Sequence, residues 1–263
     1  MTSPLTPPAL YLVRLPIDRD ALARAAGARG WTKGRRQSFD EGAALHHLLG
    51  ETFGPAALQP FRLTASPRRR TGSLYAYTGV DPAELVETAA LAAMPEVVAA
   101  LAPASLETKP MPTGFPAGRR IGFDVRLRPT VRLLRDIAAP PGGGHGFRKG
   151  AEIDAFLAEA LTHADRGAME ALGRTREAVY RDWLAARFRG AAQVEDVRLA
   201  AFRRTLAARG GAGHEAPDVT LHGTIRIEDP ERFADCLRRG LGRHRAYGFG
   251  MLLLRPPAPA REV

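Results

Sequence analysis

The sequence of 263 residues has one cysteine, three lysines and no long apolar run. The single cysteine, Cys236, excludes an internal disulfide framework and every zinc site that needs two or more thiolates. Glu87, Glu96 and Glu107 interrupt the most apolar region, so no stretch reaches the roughly 18 apolar residues of a membrane-spanning helix. The segment 1–10 also lacks the basic and then apolar regions of a secretion signal. We therefore expect a soluble, cytoplasmic protein that does not bind a membrane.

Positive charge is in clear excess. Lysine and arginine number 38 against 28 acidic residues, which gives a formal net charge of +10. Such an excess favours a polyanionic partner such as a nucleic acid. Nearly all of these cations are arginines, and a compositional bias of the genome would also enrich arginine. The positions of the arginines therefore carry more information than their number.

The N-terminal half alternates between strand and helix patterns. Asp40 is placed to cap a helix that runs to Phe53, and Asp81 is placed to cap a second helix with Pro82 at its first position. The predicted strands are Leu10–Ile17, Phe61–Thr64, Ser73–Thr78 and a segment near Ser105–Lys109. The order is that of a βαββαβ unit.

The C-terminal half repeats this order less regularly. Its first strand, Ile121 to Arg128, alternates apolar with polar or basic residues, which predicts a half-buried strand with a basic outer face. The further predicted elements are an amphipathic helix over 153–161, a helix over Thr175–Phe188, strands over Gln193–Leu206 and Asp218–Glu228, a helix over Pro230–Arg239 and a last strand, Tyr247–Leu254. We therefore predict an α+β protein of two tandem ferredoxin-like domains with antiparallel sheets, residues 1–102 and 103–263.

The most unusual local feature is a glycine-rich segment with glycines at Gly240, Gly242, Gly248 and Gly250. A dinucleotide-binding fingerprint needs a strand before its glycines and a helix after them, whereas here a helix precedes and a strand follows. Two interpretations remain. The segment is either a plain turn, or a cradle in which backbone N–H groups and the side chains of Arg243, His244 and Arg245 hold phosphates.

His46 and His47 lie on the helix that Asp40 caps. At about 100° per residue, His46 falls at the edge of the apolar stripe and His47 on the far side. A histidine at such an edge can be partly desolvated and still reach a cleft, which suits a general acid or base. No HExxH motif, thiolate cluster or acidic triad is evident, so we expect no metal site, and phosphodiester chemistry here would be metal-free.

Other basic clusters are candidates for RNA contact or simply solvated faces. Arg119 and Arg120 follow Gly118 at a predicted hairpin tip, and Arg126 and Arg128 lie on the strand that comes next. Tyr75 and Tyr77 share one face of a strand, where they either stack bases or pack against the second half of the chain.

Several segments together resemble the CasE family, the CRISPR repeat-processing endoribonucleases of type I-E systems. The matching segments are Leu10–Leu15, the Leu45-His46 pair followed by Leu48 or Leu49 and Phe53, the strand from Phe123 to Arg128 running into Pro129, the stretch Val194-Glu195-Asp196-Val197, and the glycine-rich ending from Gly240 to Leu253. They are spread over nearly the whole chain, and the glycine-rich ending is the most specific of them.

The resemblance implies an enzyme that binds the stem-loop of CRISPR repeat RNA and cuts precursor transcripts at the 3′ base of the stem. It also implies that the product stays bound in a multi-subunit RNA-guided surveillance complex, and it implies no cofactor. The family's catalytic histidine corresponds to His46. Members commonly place a tyrosine three residues earlier, where this chain has Ala43, so the acid or base partner is open and His47 is a speculative substitute.

The expected mechanism is attack of a ribose 2′-OH on the adjacent phosphate, with His46 as general base or acid, leaving a 2′,3′-cyclic phosphate and a 5′-OH. Lys33, Arg35 or Arg36 would stabilise the charge of the transition state. The RNA stem would be held by Arg119, Arg120, Arg126 and Arg128. The alternatives are an RNA-hairpin-binding assembly subunit with little or no cleavage, and a nonspecific basic nucleic-acid binder.

Overall fold

The computed structural model describes residues 9–31, 39–66, 68–92, 94–112, 114–138, 146–163, 169, 171–207 and 214–259. Within this part of the chain, each half contains a four-stranded antiparallel sheet. No helix of the described residues is both long and apolar enough to cross a membrane.

The first half is a ferredoxin-like unit with one helix more in each crossover than the minimum. Its sheet has the order β2-β3-β1-β4. The elements are β1 (Tyr11–Asp18), α1 (Arg19–Ala28), α2 (Glu41–Phe53), β2 (Phe61–Thr64), β3 (Thr71–Thr78), α3 (Pro82–Ala92), α4 (Pro95–Leu101) and β4 (Glu107–Pro110). β4 lies beyond residue 102, where we place the domain boundary, yet it pairs with β1. The boundary itself remains a prediction.

The local sequence explains where α2 begins and ends. The Asp40 carboxylate accepts a hydrogen bond of 3.0 Å from the backbone N–H of Ala43, and Gly54 ends the helix with φ of 91°. Both predicted ends are confirmed. The sequence did not predict α1, which Asp18 caps in the same way and which buries Leu22 among small alanines.

The second half repeats the same sheet order, β10-β5-β9-β8. Its elements are β5 (Arg120–Leu127), β6 (Thr130–Arg132), β7 (Glu152–Asp154), α5 (Ala155–Ala160), α6 (Arg176–Phe188), β8 (Ala192–Ala207), β9 (His214–Ile227), α7 (Pro230–Arg239) and β10 (Leu252–Arg255). β6 and β7 form a separate two-stranded ribbon. In both halves the first and third strands are central and the second and fourth are at the edges, so the α+β class with two ferredoxin-like units is confirmed.

Three details of the second half differ from the sequence-based expectation. The last strand begins at Leu252 rather than Tyr247, because Arg245–Tyr247 forms a 3₁₀ turn and positive φ angles at Gly248 and Gly250 interrupt the extended backbone. The helix expected over 153–161 is only Ala155–Ala160. The basic outer face of β5 is not open to solvent, since Asp124 and Arg128 are buried.

β5 is covered on that face because the two halves pack together. Tyr77 on β3 is buried in the core of the second half, and its hydroxyl donates a hydrogen bond of 2.9 Å to the backbone carbonyl of Leu252. Packing of Tyr75 and Tyr77 against the second half is thereby confirmed. Arg62 on β2 forms a buried ion pair across the same interface with Asp124 on β5.

Candidate active site and RNA-binding surface

His46 lies on α2 in the position that the helical spacing predicts. Its imidazole is half-buried, whereas the next residue, His47, is exposed. The Nδ1 atom of His46 lies 3.4 Å from the side-chain amide nitrogen of Gln59, in the loop that leads into β2. The ring is therefore held by a neighbouring side chain and remains partly exposed.

The surroundings of His46 change its acid–base behaviour. Burial, and then the charge of neighbouring His47, lower the pKa of His46 below its ordinary value of 6.5. The imidazole is consequently neutral near physiological pH. A neutral imidazole accepts a proton, so this environment favours the role of general base over that of general acid.

The loop after α2 separates His46 from a larger surface groove. His46, Gly54 and Gln59 line a small cavity, and Gly54 and Gln59 also line a groove of about 440 Å³. Tyr77 and Arg238 also line this groove. The groove and the small cavity beside His46 therefore share residues of the loop after α2.

The glycine-rich segment packs directly on α2 and β2. A Cβ atom on Gly42 of α2 would lie 2.4 Å from the backbone carbonyl oxygen of Tyr247, and one on Gly240 would lie 2.9 Å from the Pro60 side chain. Gly248 has φ of 83° and lies next to the ring of Phe61. These glycines are needed for close approach between the two halves.

Several amides of this segment are already bonded within the protein. The N–H of Leu241 donates to the carbonyl of Gly250 at 2.8 Å, that of Tyr247 to His244 at 2.9 Å, and that of Gly250 to Arg126 at 2.7 Å. These amides are not available for phosphates. A phosphate cradle would therefore have fewer free amide donors than the sequence suggested. The hydrogen bonds of these amides instead stabilise the conformation of the segment, which packs against α2.

Glu152 on β7 anchors the segment. Its carboxylate accepts a hydrogen bond of 2.7 Å from Arg243 and lies 3.3 Å from Nε2 of His244, and it also accepts from the Thr130 hydroxyl at 2.6 Å. Burial alone would raise the pKa of Glu152, but these hydrogen bonds outweigh burial and lower the pKa to about 2. His244 holds this position with φ of 62°, in the left-handed region. Arg245 is exposed and donates to the backbone carbonyl of Arg239 at 2.7 Å.

Arg126 and Arg128 lie between the sheet of the second half and the start of α2. Arg126 forms two hydrogen bonds with Asp218, of 2.8 and 2.7 Å, and both guanidinium carbons lie 4.5 Å from the ring centroid of Phe249. Arg128 is buried and donates to the Thr205 hydroxyl at 3.0 Å. These two arginines brace the glycine-rich segment, which the sequence alone did not suggest.

The turn around Gly118 presents the remaining arginines of the predicted stem-binding set. Arg119 is exposed, while Arg120 forms an ion pair of 2.7 Å with Glu195, which also binds Arg226 at 2.6 Å. The charge of Arg120 is thus largely balanced within the protein. Arg119 is the better placed of the two for a phosphate.

The predicted transition-state cations Lys33, Arg35 and Arg36 lie outside the described residues. Their role therefore stays a prediction. Among the residues that the structure does describe, no three His, Cys, Asp or Glu side chains are grouped so that they could hold a metal ion.

Sequence reasoning missed two residues beside His46. One is Gln59, whose contact with the imidazole depends on how the loop after α2 folds back. The other is Tyr247, whose ring meets that of His46 edge-on, with centroids 5.1 Å apart and planes at 60°. Tyr247 lies inside the glycine-rich segment that the sequence singles out, so the sequence did point to this region. No local pattern, however, indicated that the segment contacts α2 of the first half.

The fold and this geometry define a protein of two ferredoxin-like halves with a histidine at their junction. A sequence model of the family described as "CRISPR associated protein" matches residues 10–256, and the chain belongs to that family. No curated protein matches the sequence.

Solved structures with the same fold come from this group of proteins. The chain is similar to Thermus thermophilus Cse3 bound to an RNA representing a pre-cleavage complex, with 18% identity, 94% of this chain and 100% of that chain covered, and a TM-score of 0.58. It is also similar to the CRISPR-associated protein Cas6e from Escherichia coli K-12, with 18% identity, 94% and 99% of the two chains covered, and a TM-score of 0.55. At this identity the likeness establishes the shared fold.

Proposed function

We propose that the protein is a metal-independent endoribonuclease that binds the stem-loop of CRISPR repeat RNA and cuts precursor transcripts into guide RNAs. The observation that carries the proposal is His46, half-buried, with a lowered pKa, at the junction of the two ferredoxin-like halves. Support also comes from the fold, which the chain shares with proteins named as CRISPR endoribonuclease Cse3 and Cas6e.

The reaction is attack of a ribose 2′-oxygen on the adjacent phosphorus. The bond from O2′ to phosphorus forms, the bond from phosphorus to O5′ breaks, and the products are a 2′,3′-cyclic phosphate and a 5′-OH. Neutral His46 takes the proton of the 2′-OH on the ring nitrogen that carries no hydrogen. The side-chain amide nitrogen of Gln59, 3.4 Å from Nδ1, contacts the ring and orients it. Gln59 is then a positioning residue.

Charge on the RNA and on the transition state would be met by arginine and lysine. Lys33, Arg35 and Arg36 directly precede α2 in the sequence and remain our candidates for the transition-state cation. Arg119 at the exposed turn is the first candidate for the stem. Arg126, Arg128, Arg243 and His244 would act mainly by holding the glycine-rich segment, since each already binds a protein group.

The test is cleavage of a synthetic repeat hairpin from the host's own repeat, in EDTA, with either an all-ribose strand or a 2′-deoxy nucleotide at the scissile position. We expect cutting of the all-ribose RNA alone. His46→Ala should abolish cleavage with retained RNA binding, while His47→Ala, on the exposed side of the same helix, should keep cleavage. Unchanged cleavage by His46→Ala would refute the site.

The pH dependence of cleavage is a second test of His46 as the general base. Because protonated His46 cannot accept a proton, the cleavage rate constant should fall as the pH drops through a value below 6.5 and be flat above it. A rate that instead falls as the pH rises through that region would indicate that His46 donates the proton.

We further propose that the product stays bound and that the protein is a subunit of a type I-E RNA-guided surveillance complex. Tight binding of the host hairpin without cutting would favour the alternative of an assembly subunit with little or no cleavage. Equal affinity for unrelated stem-loops at matched salt would favour a nonspecific nucleic-acid binder.

A further inference from the structure

Resting on the proposed function, we infer that Tyr247 is a second catalytic residue, which donates its phenolic proton to the departing O5′ oxygen of the RNA. The inference arises from the position of the Tyr247 ring beside His46 and from what surrounds its hydroxyl. It assigns a partner to a histidine that the local sequence of α2 leaves without one.

The backbone of Tyr247 is fixed from both sides. Its N–H donates a hydrogen bond of 2.9 Å to the carbonyl of His244, and its own carbonyl oxygen lies against Gly42 of α2. The next residue, Gly248, has φ of 83° and lies beside Phe61 of β2. A tyrosine held in this way meets a substrate at a defined place, which a mobile surface tyrosine does not.

The side chain of Tyr247 lies beside His46 and is partly exposed. The Tyr247 ring meets the His46 imidazole edge-on, with centroids 5.1 Å apart. Tyr247 is half-exposed, and within the described part of the chain no protein group forms a hydrogen bond with its hydroxyl. A phenol keeps its proton near neutral pH and donates it readily to a strong acceptor. A phosphate in contact with His46 would therefore lie close to the ring that carries this donor.

The other titratable side chains near His46 are less suited to this role. His47 is exposed, and its ring centroid lies 5.2 Å from that of His46 and 4.8 Å from that of Trp31, against which it packs. The ring centroid of His244 lies 6.4 Å from that of Tyr247, and its Nε2 atom lies 3.3 Å from the Glu152 carboxylate. Tyr247 combines a ring contact with His46 and a hydroxyl that no described group binds.

Together, His46 and Tyr247 account for both proton transfers of the reaction. As O2′ attacks phosphorus, its proton passes to the unprotonated ring nitrogen of His46. As the bond from phosphorus to O5′ breaks, the proton of the Tyr247 hydroxyl passes to O5′ and yields the 5′-OH. His46 has gained one proton and Tyr247 has lost one, and exchange with water restores both for the next turnover.

The decisive experiment combines Tyr247→Phe with two substrates. The variant keeps the ring and its contact with His46 and removes only the hydroxyl. The repeat hairpin is made with either oxygen or sulfur at the 5′ bridging position of the scissile phosphate. A thiolate leaves without being protonated, so the sulfur substrate does not need a general acid. Single-turnover rate constants are measured at saturating protein, with RNA affinity measured separately.

We expect Tyr247→Phe to slow cleavage of the oxygen substrate by about a hundredfold or more, the ordinary range for general acid catalysis. On the sulfur substrate it should match the unmodified protein to within about threefold, with unchanged RNA affinity. Tyr11→Phe, which removes a hydroxyl from β1 instead, is the control and should change neither rate.

The outcomes separate this inference from the proposed function. His46→Ala should stay slow on both substrates, because sulfur does not replace the base. If His46→Ala is slow and Tyr247→Phe is fast on both substrates, the inference is wrong and the proposed function stands. If Tyr247→Phe is equally slow on both, Tyr247 acts by positioning and the acid role is refuted. If His46→Ala is fast, the proposed function fails first.

Discussion

Gly42 in the first turn of α2 allows the sharpest test of how the two halves meet. A Cβ atom at this position would lie 2.4 Å from the Tyr247 carbonyl oxygen and 3.2 Å from its carbonyl carbon. Ordinary contact begins near 3.4 Å, so Gly42→Ala requires a displacement of about 1 Å. The atoms in the way belong to backbone rather than to a flexible side chain.

Two effects oppose each other in Gly42→Ala. Alanine favours a helix over glycine by up to about 1 kcal/mol. Overpacking of a fixed contact costs about 1–3 kcal/mol. We expect overpacking to prevail, so that Gly42→Ala lowers the free energy of unfolding by about 1–2 kcal/mol. Gly50→Ala is the matched control, because it lies on the same helix and its added Cβ meets nothing within 4 Å. It should raise stability by up to about 1 kcal/mol.

Urea unfolding followed by circular dichroism measures the free energy of unfolding of both variants. Thermal unfolding is a second measurement, in which each kcal/mol moves the melting temperature of a chain of this size by about 2–4 °C, so changes of opposite sign are readily resolved. Gly42→Ala should also slow RNA cleavage, because the displacement moves the Tyr247 ring away from His46. Two variants stabilised to the same extent, with normal cleavage by Gly42→Ala, would refute the close contact between α2 and the glycine-rich segment.

Two further predictions concern charged side chains, Asp124 at the junction and Glu152 behind the glycine-rich segment. Asp124→Asn should cost about 3–5 kcal/mol in urea unfolding, since it leaves Arg62 buried without its counter-charge, whereas Arg62→Met should cost less because Asp124 keeps Arg255 and His222. Equal stabilities for Asp124→Asn and the unmodified protein would contradict this. Glu152→Gln should destabilise the protein near neutral pH. Because the pKa of Glu152 is lowered from 4.5 to about 2, the carboxylate stabilises the fold above about pH 4.5, and this contribution is lost as the pH falls toward 2. The stability gap between Glu152→Gln and the unmodified protein should therefore narrow between these values, and a constant gap would argue against the assigned hydrogen bonds.

Local signals in the sequence were enough for α2 and for the position of His46. Asp40, the apolar stripe and Gly54 all act within one helix, so capping and periodicity predict its ends and its buried face. The glycine-rich segment was less predictable, because the expected strand Tyr247–Leu254 included Gly248 and Gly250, whose positive φ angles interrupt it.

Local sequence patterns do not predict the contacts between the two halves. The alternation along β5 predicted a solvated basic face, but burial depends on what covers a strand, and here the first half and Phe249 cover it. Arg126 and Arg128, two of the predicted RNA-binding residues, already bind protein groups, and their contact with RNA stays a prediction. The contacts of Gln59 and Tyr247 with His46 likewise depend on docking, which no periodicity in either segment encodes.

The same dependence on docking explains why the candidate site is at the junction and not within one half. His46 and Gln59 come from the first half, whereas Tyr247 and its anchor Glu152 come from the second. A shift of about 1 Å between the halves would leave each sheet intact and still separate His46 from Tyr247, the two residues proposed to act together. The tight glycine contacts and the buried pair of Arg62 with Asp124 restrict that shift. Variants that loosen the junction should therefore lose cleavage before they lose the fold.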